Sequence, residues 1–441
     1  MAGAGLLLVY RIPFFRGSLF DWAILLFLTT AGVAVWSSYD PEAAQAKFLV
    51  LFAAAVLYWA VSSQAISNFW VTTGVIAAWC VFIGGHFLLV HDWTELPADF
   101  SVLNDFGLRW AAIRPSFDLR PIHPNLAGGM LAALIPVQIV ALIYAFRRGM
   151  ETYALAFGGA LIFSLAALLL TSSRAAWAAL AFALVIGILW LSAGWVQSRY
   201  RLSQSGIFIV LALAAILAVV VAFDGPGQIF QAFNFIPGSS SAVSRLALFE
   251  EVLHLSPDYP FIGGGLTSFP GLYSEYILNS PFFIFGYAHN VYLDVLIEQG
   301  IFGLVFFLII ILGVTARLFI RILGSDHKSQ RLSAVRWGAF MGLIVLLAHG
   351  LLDDPFYGME GTALLFILPG LAIAATPGKP KTRHGAAISS RQKFLRAGLV
   401  GIGILAASAV LFFTISALVQ SPPTILESNL GAIEMAKAGL A

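Results

Sequence analysis

The sequence predicts an all-α fold, a polytopic transmembrane helix bundle of about 11 spans with a large outer loop carrying short amphipathic helices. Three observations lead there. The 441-residue chain is 60% hydrophobic and only 10% charged, whereas soluble domains carry about a quarter charged residues. Apolar runs of about twenty residues recur along its length, enough for a helix to cross ~30 Å of hydrocarbon. The single cysteine, Cys80, lies inside such a run, so neither a disulfide framework nor a CxxC metal site is available.

Spans are expected at roughly 19–38, 46–66, 68–90, 125–146, 152–172, 174–193, 206–223, 290–316, 335–352, 360–376 and 397–419. The first follows Arg11 and Arg16, lacks a small-residue cleavage site and precedes many others, so it reads as a retained helix. Basic residues set the sides. With a cytoplasmic N-terminus, Lys47, Arg109, Arg114, Arg120, Arg174, Arg245 and Lys437 fall outside, and the other 17 of the 24 Lys and Arg fall inside. Every cytoplasmic turn is then basic except the uncharged one near 62–67, and the C-terminus lies outside.

Two outer loops are long, at about 91–124 and 224–288. Within the second, Val243, Leu246, Phe249, Val252 and Leu253 recur at helical spacing, predicting an amphipathic helix over 241–254 at the outer interface, ended by Pro257. Gly263, Gly264 and Gly265 then form a turn that permits close backbone approach. No internal repeat or low-complexity tract is evident. Residues 1–420 are thus expected to form one membrane bundle. Residues 421–441 are read as an outer C-terminal segment opening a soluble helical domain, in a chain that stops short of it.

The polar residues that stand out gather on the outer side. His289, in Tyr287-Ala288-His289-Asn290, sits where the large loop runs into an apolar helix, a costly place for an imidazole. It reads as a packing histidine, a helix cap, or a general base with an ordinary pKa of about 6.5. Arg174 follows Thr171-Ser172-Ser173 in a tight turn; it is either a snorkelling boundary arginine or a fork for phosphate. Arg245 has Glu250 and Glu251 within reach along its helix, and otherwise reads as a second phosphate clamp. His123-Pro124-Asn125 opens the fourth span with proline in the first helical turn. Asp353-Asp354-Pro355 reads as a solvated helix stop and lacks the Asp-x-Asp spacing that holds a metal on a nucleotide-sugar diphosphate. No metal cluster, Walker loop, GxGxxG or GxSxG occurs, which argues against a cofactor, ATP or a nucleotide sugar. The net charge of +2 says little by itself, since its distribution across the membrane carries the information, and no nucleic-acid partner is expected.

Together these residues resemble the signature region of the O-antigen ligase/polymerase superfamily. The resemblance rests on His289-Asn290-x-Tyr292-Leu293 with Gln299-Gly300-Ile301-x-Gly303-Leu304, preceded by Ser244-Arg245-x3-Phe249 and Gly263-x-Gly265. Ser173-Arg174-Ala175-Ala176-Trp177 and His123-Pro124-Asn125-x-Ala127-Gly128 fit the same pattern, so it covers about 120–370. It implies a metal-independent transferase of the bacterial inner membrane that moves a glycan from undecaprenyl pyrophosphate to an acceptor on the outer face. By resemblance, His289 is the catalytic histidine and Arg174 and Arg245 are the paired arginines. His123, Asn125, Asn290, Tyr292 and Asp353 are further candidates for touching substrate. The acceptor stays open among lipid, glycan and protein, so lipopolysaccharide ligase, O-antigen or exopolysaccharide polymerase and protein O-oligosaccharyltransferase all remain. Two other classes also remain, a small-anion transporter and a non-catalytic assembly protein. Transporters, however, usually carry ionisable residues or broken helices near the midplane.

Overall fold

The computed structural model describes residues 15, 17–62, 69–93, 101–117, 119–200, 203–222, 240–276, 286–324 and 330–376, together with Ala409 and Phe412. Among these residues there are thirteen α-helices and no strand. They are α1 (Leu19–Trp36), α2 (Pro41–Ser62), α3 (Phe69–Val90), α4 (Ser101–Ile113), α5 (Pro124–Arg147), α6 (Glu151–Leu170) and α7 (Arg174–Tyr200). Then follow α8 (Gln204–Ala222), α9 (Ser240–Leu255), α10 (Phe269–Tyr276), α11 (Val291–Leu323), α12 (Gln330–Gly350) and α13 (Thr362–Ala374).

Eight of them, α1, α2, α3, α5, α6, α7, α11 and α12, are long and apolar enough to cross a membrane. The protein is a multi-pass, all-α membrane protein. Of the other expected spans, 206–223 is helix α8 and 360–376 is helix α13. At 13 residues, α13 reaches only about 20 Å and is too short to span alone. The expected span at 397–419, apart from Ala409 and Phe412, and the segment 421–441 lie outside the described residues.

The centre of the bundle is set by α5 and α13. Every residue of α13 is buried, as an apolar helix without a polar face must be. It packs along α2, where Gly370 lets the backbone at Tyr58 come close. Helix α5 carries Ala127, Gly128, Gly129, Ala132 and Ala133, and these small residues let neighbouring helices approach its backbone. Gly342 of α12 exploits this: a Cβ there would stand 2.6 Å from the Ala133 carbonyl oxygen. At one end of the bundle Arg148 donates to Gln330 (2.8 Å), Arg331 to the Tyr144 hydroxyl (3.0 Å) and Arg336 to the Ala375 carbonyl (2.9 Å). These are among the arginines that the charge pattern assigns to the cytoplasm.

The opposite end is built around a break. The span expected to run unbroken over 290–316 is interrupted at Gly300 (φ 68°, ψ −169°), so α11 is a short stub followed by a long crossing helix. A break exposes backbone groups that lipid cannot satisfy. The glycine turn foreseen at 263–265 meets them: Gly264 N–H donates to Ile297 O (2.8 Å), Gly265 N–H to Glu298 O (3.2 Å), and Ile301 N–H to Pro260 O (2.8 Å). Gly263 (φ 75°) and Gly300 leave no room for a side chain, since a Cβ on either would collide with the other segment's backbone.

Helix α9 is the expected amphipathic helix, with its buried face shifted: Val252 and Phe249 of the expected stripe face the core, Leu246 and Leu253 do not. Leu248, Val252 and Leu255 pack into a small second core with Phe269, Leu272, Tyr273, Ala288, Leu293 and Ile297, while Leu246 and Leu253 are about half exposed. The reason is α10 and the α11 stub, which supply a protein surface where helical spacing alone suggested only the membrane interface. Helix α9 ends before Pro257, which lies in the 3-10 turn Ser256–Asp258.

Because Gly263 and Gly300 need both positive φ and empty space, Gly300→Ala should lower stability by about 3 kcal/mol or more. Thermal unfolding of the purified protein in detergent measures this. An unchanged midpoint would contradict the packing described here.

Candidate functional site

A helix leaves its last carbonyl oxygens without intrahelical donors. At the end of α12 and in the turn that follows it, three side chains from distant segments supply donors. The Tyr292 hydroxyl donates to Leu347 O (2.9 Å), Asn290 Nδ2 to Leu351 O (3.2 Å), and Arg245 Nη1 to Leu352 O (2.7 Å). The chain itself turns back, with Leu352 and Asp353 N–H both donating to His349 O. This turn delivers Asp353 into the interior, where its side chain is fully buried.

Asp353 is therefore not the solvated helix stop its sequence suggests. Its Oδ2 faces Arg245 Nη2 at 3.3 Å, and its Oδ1 meets His289 Nδ1 at 3.0 Å and accepts the Asp354 N–H (2.9 Å). Burial alone would raise its carboxyl. The His289 hydrogen bond and the charges of His289 and Arg245 outweigh that and hold it well below the usual carboxylate range. A charged Asp353 can only accept, so Nδ1 of His289 carries the hydrogen. In the neutral ring, Nε2 then presents a lone pair.

His289 is held in a sparsely populated conformation, φ 52°, unusual for a residue with a side chain. The residues on either side keep it there. Asp294 accepts the Ala288 N–H (2.7 Å), and Asn290 caps α11 by accepting from the Tyr292 and Leu293 N–H groups. The Tyr287 ring packs against the imidazole, centroids 4.3 Å apart. Burial, and then the nearby carboxylates, push the Tyr287 hydroxyl far above its ordinary range, so it stays protonated. Beside Asp353, Asp354 accepts from the Phe356 and Tyr357 N–H groups, and burial raises its carboxyl. Behind them Lys47 pairs with Glu298 (2.8 Å), which accepts the Thr267 N–H and so ties the glycine turn to α11.

The structure thus brings His289, Arg245, Asp353, Asn290 and Tyr292 together. Arg245 points away from the Glu250 and Glu251 partners suggested by its helix; Glu251 instead receives the Tyr273 hydroxyl. Arg174 begins α7, directly after the turn at Thr171–Ser173, which packs on Gly128 of α5. The next residue, Gly129, abuts His349 and Pro355, so the Arg174 turn and the Asp353 turn flank one diglycine. His123 caps α5, its Nδ1 accepting the Asn125 N–H (3.2 Å). That is a local structural use for both. Sequence reasoning missed Asp353 as the partner of His289, and missed Asp294, Asp354, Tyr287 and the Lys47–Glu298 pair; no spacing rule links residues 64 or 251 positions apart. Among the described residues no group of His, Cys, Asp and Glu is arranged to hold a metal ion.

Residues 159–308 match the family model described as O-antigen ligase. The match supports membership of the O-antigen ligase/polymerase superfamily. It coincides with α6 through the first half of α11 and so contains Arg174, Arg245 and His289, while Asp353 lies beyond it. The O-antigen ligase match supports a membrane glycosyltransferase that works with lipid-linked glycan donors and acceptors. No curated protein matches the chain.

The depressed carboxyl of Asp353 has a consequence for acid stability. A carboxylate favoured in the fold stabilises fully above its unfolded value of about 3.9, and the contribution vanishes as pH falls through the lower folded value. Asp353→Asn should therefore flatten the loss of thermal stability on acidification below about pH 5. Parallel curves for the two proteins would contradict the burial of a charged Asp353.

Proposed function

We propose that this chain is an O-antigen ligase-like glycosyltransferase of the bacterial inner membrane. It transfers a glycan from undecaprenyl pyrophosphate to an acceptor hydroxyl on the outer face, with inversion and without a metal. The observation that carries the reading is the His289 Nδ1–Asp353 pair beside Arg245, at the helix end where the family's segment enters the bundle. His289 Nε2 accepts the proton of the acceptor hydroxyl, and the freed oxygen bonds to the anomeric carbon from the face opposite the leaving group. The bond from that carbon to the pyrophosphate oxygen breaks, and undecaprenyl pyrophosphate leaves with the electron pair. Arg174 and Arg245 stabilise the charge that develops on it. Asp353 favours the imidazolium formed on His289. The N-terminus is cytoplasmic in this reading, in keeping with the positive-inside pattern.

The buried ionisable groups near His289 cluster at one helix end, which favours interfacial chemistry over a transport path. Ligase, polymerase and protein glycosylation share this chemistry and differ in the acceptor. Purified protein incubated with undecaprenyl-pyrophosphate glycan and candidate acceptors distinguishes them by product mass: a ladder means polymerase, a single adduct means ligase. His289→Ala should reduce transfer by about a thousandfold or more while donor binding persists. An active His289→Ala protein would remove the general base from this mechanism.

A further inference from the structure

The turn between α6 and α7 holds an arrangement that the two-arginine reading leaves unused. Ser172 has φ 54°, in the left-handed region that residues with a Cβ rarely occupy. The Thr171 hydroxyl is fully engaged, donating to Leu168 O (2.6 Å) and accepting the Ser173 N–H (3.3 Å). The hydroxyls of Ser172 and Ser173 are buried and have no hydrogen-bond partner among the described residues. Ser173 is 1% exposed and stands at the N-cap of α7, where a serine ordinarily accepts an N–H from the following turn. Two buried hydroxyls left unpaired are costly. Just beyond them lie the first N–H groups of a 27-residue helix, which lack intrahelical partners and carry the positive end of its dipole. Gly128 is what lets this turn dock: a Cβ there would stand 2.8 Å from Ser173 Cβ.

We propose that this turn is a phosphate seat. The Ser172 and Ser173 hydroxyls and the first N–H groups of α7 donate to one phosphate of the donor's pyrophosphate, beside Arg174. Arg245, across the Gly128–Gly129 pair, faces the other phosphate. All of these groups are donors, and only an acceptor-rich anion uses them together. The seat rests on the transfer reading above and adds to it the groups, other than arginine, that orient the leaving group.

The test uses the full-length protein in nanodiscs, with inorganic pyrophosphate and the undecaprenyl-pyrophosphate glycan as probes. Ser173→Ala should weaken binding of both probes and raise the donor KM by about tenfold, with kcat changed less, and Ser173→Thr should restore binding. Ser172→Gly separates ligand binding from packing. It relieves the positive φ, so it should raise the melting temperature while still weakening pyrophosphate binding. If both serine variants bind as the wild type does while Arg245→Ala binds more weakly, the seat is wrong and the transfer reading stands. If inorganic pyrophosphate binding depends on the serines but lipid-linked donor binding does not, the turn holds free pyrophosphate only and the proposal fails. If the wild type neither binds pyrophosphate nor transfers glycan, the transfer reading fails and the seat with it.

Discussion

A helix that stops inside a protein leaves carbonyl oxygens that must find donors, and the end of α12 is the stop around which this site is organised. Water cannot be relied on at the edge of a bilayer, so donors come from side chains: Tyr292 to the last turn of α12, and Asn290 and Arg245 to the turn that follows it. Each also belongs to the segment that carries, or lies next to, the chemistry. Capping the helix and assembling the site are one event, because the same contacts that satisfy α12 draw α9 and the α11 stub over Asp353.

Burying a carboxylate is expensive unless charges and hydrogen bonds compensate. Asp353 is compensated twice, by Arg245 and by His289, and keeps its charge. Its neighbour Asp354 is equally buried but has backbone N–H donors instead of a cation at hydrogen-bond distance, so burial dominates and favours the proton. Adjacent residues thus carry opposite protonation preferences for reasons of geometry alone. The charged one fixes the imidazole tautomer, and the left-handed backbone of His289 is held by caps on both sides. A histidine held in place with one nitrogen anchored and the other left as an acceptor is suited to moving a proton.

Much of this was legible in the sequence, because its signals are local. Apolar runs mark the long helices, glycines at 263–265 mark a close approach, and the motif around His289 marks the family. What was not legible depended on contacts between distant segments. Gly300 follows Glu298 and Gln299 inside a segment that otherwise reads as one continuous span; the break exists because the 260–265 loop supplies its missing partners. Asp353 before Asp354-Pro355 looks like any solvated helix stop, and only the convergence of Arg245 and His289 turns it inward. Likewise Leu246 and Leu253 matched a helical stripe with Val252, but it is Leu248 and Leu255 that join Val252 in the core, because α10 decides which face is covered.

The central claim is that Asp353 acts through His289 rather than on substrate directly. A double-mutant cycle in glycan turnover, using His289→Gln, Asp353→Asn and the pair combined, tests it most directly. If Asp353 serves only to orient and charge the imidazole, the combined variant should turn over no more slowly than His289→Gln alone. If the two losses multiply, Asp353 has an independent role and the paired arrangement is not what drives transfer.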